Sequence, residues 1–368
     1  MVRFDLAAVR RLCRGRIGIA ATPAAWLPEA GAALADRPEL VGDVRAFLAL
    51  EHGLRGEFQD GVKVAEYADP RGGRPVFSFY GDRHEVPAAF WEEVDTALFC
   101  AQDASHRAYT FHQALADLIR SAAARGKRVV VLDRPSPLAY LGARGPVARQ
   151  FFPLPFPVLP GLTHGELGLW LCREHPEWGA DYHVAGLAGW RRADPWAATG
   201  LPWIPPSPNL PTAESVLAYA CTGLLQATAV SEGRGTCQPF AYFGAPFLDA
   251  HALAEALNAR RLPGLLFRPL HFQPGFNKFA GQPCGGAHLL FLEPAAVDPI
   301  RTQMAILQEL ARLAPAELAP TPGLGAWLDG GAWPVARLQA LETDAWRHAL
   351  EPALAEFRAR TAPCRLYP

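Results

Sequence analysis

An apolar run from Ala46 to Leu50 stops abruptly at Glu51-His52-Gly53. A carboxylate beside an imidazole, placed where a strand leaves a sheet, can give and take protons. Two further acids sit in the same setting. The apolar stretch Thr96 to Ala101 ends in Gln102-Asp103, and Arg128 to Leu132 ends in Asp133-Arg134. One acid after a strand is an ordinary turn former. Three in succession, on parallel strands, collect on the rim where open α/β sheets bind ligands. No G-x-G-x-x-G or G-x-x-x-x-G-K-[ST] follows any of these runs, so no dinucleotide or P-loop nucleotide cofactor is expected.

The elements that must position these groups alternate. Strands are expected at 16–21, 45–50, 75–81, 96–101, 128–132 and 181–187. Helices are expected at 29–40, 87–94, 110–125 and 165–172, after a short amphipathic helix within 1–12. This pattern predicts an α/β fold with a mainly parallel, doubly wound sheet. Residues 151–160 alternate Pro and Phe and read as an extended loop. Five prolines between Pro202 and Pro211 rule out regular structure and mark a linker. Beyond it the pattern is α+β: helices at 213–225, 249–260 and 297–313, strands at 264–269 and 287–292, and one or two more helices in 333–360. The expected division is 1–210 and 211–368.

The 368 residues are half apolar and 19% charged, with 35 Lys and Arg against 36 Asp and Glu. No global basic field favours nucleic acid or an anionic membrane. The odd number of cysteines, seven, shows no CxxC or Cys/His spacing, so neither a disulfide framework nor a metal site is expected. The first residues lack the apolar core of a secretion signal, and no run approaches a membrane span. A reduced, cytoplasmic protein is the expectation.

Further along, Ser231-Glu232-Gly233-Arg234-Gly235-Thr236 is followed by Pro239-Phe240 and Gly244-Ala245-Pro246. Together with Glu51-His52-Gly53, Ser78-Phe79-Tyr80-Gly81, Gln102-Asp103, Arg107, Tyr109-Thr110, Asp133-Arg134-Pro135 and Gly165-Glu166-Leu167, this resembles the NamZ-type peptidoglycan exo-β-N-acetylmuramidases, long known as a domain of unknown function. Thr199-Gly200-Leu201, Pro205-Pro206-Ser207-Pro208-Asn209, Arg268-Pro269, Lys278, Gly281 and Cys284-Gly285-Gly286 continue the match in serial order. The resemblance implies a Rossmann-like N-terminal domain, a smaller C-terminal domain and an active-site cleft between them. It also implies release of N-acetylmuramic acid from the non-reducing end of peptidoglycan fragments, without metal or nucleotide. On this mapping Glu51 matches the family's presumed catalytic glutamate.

Glycoside hydrolysis needs a proton for the leaving oxygen and a nucleophile or a base for water, both usually carboxylates. Glu51 is the candidate acid, and Glu232, Asp103, Glu166 and Asp133 are the candidate partners. The lactyl carboxylate of muramic acid calls for a cation, with Arg234, Arg107 and Lys278 available. His52, Gln102, Arg134 and Asn209 join the substrate-binding set, and Trp203, Tyr109 or Phe240 could face a sugar ring. Some family positions are altered: Ala21-Thr22-Pro23-Ala24-Ala25 replaces a Thr-Asn-x-Thr-Gly run, and Cys100 an Asp. Leu159-Pro160 replaces Arg-His, Ser136 an Asn, and Gln226-Ala227-Thr228-Ala229 a Glu-Gly-Thr-Asn run. These losses leave room for a changed substrate preference. They also leave room for a non-catalytic glycan-binding or regulatory relative using the same cleft.

Overall fold

The computed structural model describes residues 2–59, 61–63, 65–80, 85–150 and 152–368. Met1 of the amphipathic segment, Gly81 of the third expected strand and Phe151 of the expected loop lie outside the described residues. Seven strands form one sheet in the order Asp181–Ala185, Arg128–Leu132, Thr96–Cys100, Ile17–Ala21, Val44–Ala49, Pro75–Ser78, Tyr67–Ala68. Every neighbouring pair is parallel except the last.

Alternation along the strands sorts their side chains onto two cores. Ile19, Phe47, Leu98 and Val130 enter one, while Ala20, Leu48, Phe99 and Val131 enter the other. Because both faces are covered, the strands are apolar throughout rather than alternating with polar residues. Helices Phe111–Ala123 and His164–Glu174 cover one face with Leu115, Leu118, Leu167 and Trp170. Helix Leu6–Leu12 covers the other with Val9. Each fully buried Leu contributes ~1.5–3 kcal/mol from apolar burial.

The second half holds a three-stranded antiparallel sheet, ordered Tyr242–Ala245, Cys284–Phe291, Leu265–Phe272. Helix Ala250–Ala259 packs on this sheet, helix Pro299–Leu313 packs on that helix, and helix Ala213–Thr222 packs on Pro299–Leu313. One apolar cluster runs from Leu48 and Phe99 through Phe243 and Leu310, so the core is continuous across both halves.

The structure corrects several boundaries. No α-helix forms over 29–40. Pro28 and Pro38 each open a single 3-10 turn, and Gly31 in the left-handed region (φ 58°) ends the first. Residues 156–159 of the expected loop form a strand, antiparallel to Arg144–Ala148. The strand Tyr242–Ala245, unassigned from sequence, runs through Gly244-Ala245 of the Gly-rich signature. In the expected linker, Trp203 donates its indole N–H to the Leu210 carbonyl at 2.9 Å, which folds the proline-rich segment back on itself. No helix among the described residues is long and apolar enough to cross a membrane.

Candidate functional site

Strand Val44–Ala49 delivers Glu51 to the sheet rim, and the chain turns at once. The Gly53 amide bonds the Leu50 carbonyl at 3.0 Å, with Gly53 at φ 82° and His52 at φ 72°. A left-handed conformation suits Gly but is strained for His, as at many ligand-facing positions. The His52 Nδ1 lies 3.1 Å from the Phe58 carbonyl. A carbonyl only accepts, so Nδ1 is the donor in this bond, and in the neutral ring Nε2 keeps the lone pair.

Glu51 is 9% exposed and held at both oxygens. Thr110, which precedes helix Phe111–Ala123, donates its hydroxyl to Oε2 at 2.5 Å, and the Gly61 amide donates to Oε1 at 3.4 Å. The carboxylate faces a cavity of about 260 Å³. His52, Tyr109, Asn209 and Arg234 line it as well, and Glu51 is the one carboxylate among the described lining residues.

An aromatic wall lines the same cavity. Tyr219 meets Phe240 edge-on at 4.8 Å and Trp327 at 6.5 Å, and all three line the cavity. Phe240 also adopts a left-handed backbone (φ 65°), fixed by the Thr222 hydroxyl donating to its carbonyl at 2.7 Å. Burial, and then the nearby Glu51 charge, push the Tyr109 phenol well above its ordinary value, so it stays a neutral hydroxyl.

Two family models cover nearly the whole chain: the N-terminal part of the exo-β-N-acetylmuramidase NamZ over residues 24–214 and its C-terminal part over 217–367. The chain belongs to the NamZ family. It is 34% identical over 308 residues to the peptidoglycan β-N-acetylmuramidase NamZ of Bacillus subtilis strain 168, spanning 82% of this chain and 74% of that one. Among solved structures it resembles two DUF1343 family proteins of Bacteroides fragilis. One is 25% identical with a TM-score of 0.83, the other 21% identical with a TM-score of 0.76. Each match spans all of this chain and 99% of the other. The second match speaks for the fold alone.

The remaining sequence-derived positions of this NamZ-family chain lie beneath or beside the cavity rather than on its wall. Glu232 is 1% exposed, between Arg234 Nε at 2.5 Å and Lys278 Nζ at 3.0 Å. Lys278 also donates to the carbonyls of Leu225, Gln226 and Val230, so its half-buried ammonium ties the signature loop together. Burial pulls its pKa down despite the Glu232 charge. Gly233 (φ 77°) lets that loop pass the Tyr242 carbonyl, which a Cβ would meet at 2.3 Å.

Asp133 is fully buried. Its Oδ1 accepts the amides of Arg134 and Gly165 at 3.0 and 2.9 Å, and its Oδ2 the hydroxyls of Thr163 and Tyr367 at 2.6 and 2.7 Å. Burial raises its pKa to about 6 against the pull of these donors. Glu166 closes a capping box with Thr163 and pairs with Arg192 at 2.5 Å. Gln102 and Arg134 bond each other at 3.0 Å, and Arg134 reaches the Trp26 carbonyl. Arg107 donates to four backbone carbonyls, those of Pro146, Phe156, Trp327 and Leu328. Burial lowers its pKa to about 10. Asp103 lies 2.9 Å from His112, buried away from the cavity lining.

Of the altered family positions, Gln226 lines the cavity, Cys100 ends a buried strand and Ser136 bonds Asp103. Thr110, Tyr219 and Trp327 are cavity residues outside the set expected from sequence. Thr110 stands in the Tyr109-Thr110 pair ahead of a helix, a readable signal, whereas nothing local marks Trp327.

Proposed function

We propose that this chain is a glycoside hydrolase acting on peptidoglycan fragments and releasing N-acetylmuramic acid from their non-reducing end, with Glu51 as the proton donor. The observation that carries this reading is the Glu51 carboxyl at the sheet rim, oriented by Thr110 and Gly61 toward a cavity walled by aromatic rings. At about 260 Å³ the cavity is below the roughly 300–1,000 Å³ of drug-sized pockets, which suits an exo-acting site for one terminal sugar. Residues 1–210, read as a Rossmann-like doubly wound domain, and residues 211–368 then form the two sides of the cleft.

In this mechanism Glu51 gives its proton to the glycosidic oxygen as the bond to the anomeric carbon breaks. A water oxygen becomes the new anomeric hydroxyl, and the water's proton passes to a group of the cleft. His52, with Nε2 left as an acceptor, is placed beside the acid to accept or orient that water. Arg234, on the cavity wall, supplies the cation for the lactyl carboxylate. The aromatic side chains cover the apolar face of the ring.

The test is release of sugar from an N-acetylmuramic acid–N-acetylglucosamine disaccharide by wild type and Glu51→Gln. General acid catalysis contributes about 10²–10⁴-fold, so the variant should lose at least that much while its circular dichroism and melting stay unchanged. A folded Glu51→Gln protein that hydrolyses normally overturns the assignment of Glu51. A folded wild type that binds the disaccharide and never cleaves it overturns the enzyme.

A further inference from the structure

Asp103, His112 and His164 come from three separate elements: the turn after strand Thr96–Cys100, the first turn of helix Phe111–Ala123 and the first residue of helix His164–Glu174. They are 2%, 1% and 3% exposed. One carboxylate oxygen and one nitrogen from each ring lie within 4.8 Å of one another. Phe99 stands edge-on to His164 at 5.2 Å and Phe156 edge-on to His112 at 5.4 Å, so the cluster is walled by rings rather than open to the cleft.

The cluster does not satisfy itself. His112 Nε2 lies 2.9 Å from Asp103 Oδ1, yet Oδ1 has no aligned hydrogen-bond donor among the described residues. His164 Nδ1 sits 3.2 Å from the Ala101 carbonyl, which fixes the proton there and leaves Nε2 as a bare lone pair. That Nε2 has no hydrogen-bond partner among the described residues. The second carboxylate oxygen takes the Ser136 hydroxyl at 3.3 Å. A buried acceptor left unmatched costs ~1–3 kcal/mol. An oxygen and two nitrogens converge here, and the oxygen and the His164 nitrogen have no aligned hydrogen-bond partner among the described residues, an arrangement suited to ligands of a shared cation.

We infer that Asp103, His112 and His164 form a binding site for a divalent first-row transition ion of the zinc type, separate from the glycosidase cleft. Two imidazoles with one carboxylate suit such ions and not calcium or magnesium, which prefer all-oxygen shells. The Ala101 carbonyl supplies the outer partner that typically orients a ligating histidine. The ion joins the ends of two helices to the end of a central strand. His112 stands two residues beyond Thr110, whose hydroxyl holds Glu51, so the ion's role is to stiffen the support of the cleft without touching substrate. Sequence spacing gave no sign of it, because the ligands lie nine and 52 residues apart in the chain.

Because the cluster is enclosed, the ion enters as the chain folds. The experiment unfolds the full chain with chelator, refolds it with Zn²⁺ or Co²⁺, strips loose ions on a chelating resin and measures metal per chain by mass spectrometry. One equivalent is expected, with a visible d–d band for Co²⁺. His164→Gln and Asp103→Asn should each refold to wild-type circular dichroism with that equivalent lost. Wild type that folds and retains no metal overturns the proposal. So does a folded His164→Gln protein that retains as much as wild type. Neither result depends on whether the cleft hydrolyses a glycoside.

Discussion

Asp133 offers a test of whether a strand-end acid serves by its charge or by its shape. Its folded pKa of about 6 lies above the ordinary 3.8, a gap worth ~3 kcal/mol. A carboxyl with a raised folded value binds its proton more tightly when folded. Its contribution is complete below about pH 3.8 and is lost as pH climbs through about 6. Asp133→Asn removes this titration. The Asn oxygen can keep the two backbone amides, and its NH₂ can face the two hydroxyls, whose protons then lose their acceptor at ~1 kcal/mol each. The variant should therefore be ~2 kcal/mol less stable than wild type at pH 4 and equal or ~1 kcal/mol more stable at pH 7.5. Asp133→Ala strands all four donors and should lose more than ~4 kcal/mol at every pH. Urea denaturation of the three proteins between pH 4 and 7.5 reads this directly, and the Asn-minus-wild-type difference cancels other titrations. A wild type that gains stability over Asp133→Asn as pH rises would show that the four donors hold the anion and would refute the reasoning.

Thr110→Val keeps the shape of the residue and removes the donor to Glu51 Oε2. A hydrogen bond to a charged group is worth ~1.5–3 kcal/mol, so kcat should fall roughly 10- to 100-fold with little change in melting. Lys278→Met leaves three carbonyls and one side of Glu232 without a donor and should lower unfolding free energy by ~3 kcal/mol in denaturant titration. His52→Gly relieves the left-handed backbone and should match or exceed wild-type stability by up to ~1 kcal/mol. Its activity in the disaccharide assay should fall all the same.

The rim of the sheet was readable because three apolar runs each ended in an acid, and strand register is written into side-chain alternation. That pattern marks Glu51, Asp103 and Asp133 alike, and only the family resemblance sets Glu51 apart. The fates of Asp103, Asp133 and Glu232 are not legible in it, because they depend on partners 9, 234 and 46 residues away: His112, Tyr367 and Lys278. Sequence order shows an acid at a strand end but not whether distant chain closes over it. The segment 29–40 reads as helical by composition, yet Pro28 just before it, and Gly31 and Pro38 within it, are the residues that stop a helix. Tyr242–Ala245 was hidden by its own glycine. There the Cβ of any other residue at 244 would meet the Gly285 carbonyl at 2.3 Å, so a residue of low strand propensity is required in the strand.

Arg107 sets how this cleft can move. Its guanidinium links the carbonyls of Pro146 and Phe156, in the two-stranded sheet Arg144–Ala148 and Phe156–Leu159, to those of Trp327 and Leu328, the first of which belongs to the aromatic wall. Swinging that wall outward would strip acceptors from a cation that is 1% exposed. The cost rises steeply before any gap opens. Fastened in this way, Trp327 is held to the strand pair Arg144–Ala148 and Phe156–Leu159 by one shared guanidinium, so any movement of that side of the cavity must break several hydrogen bonds together.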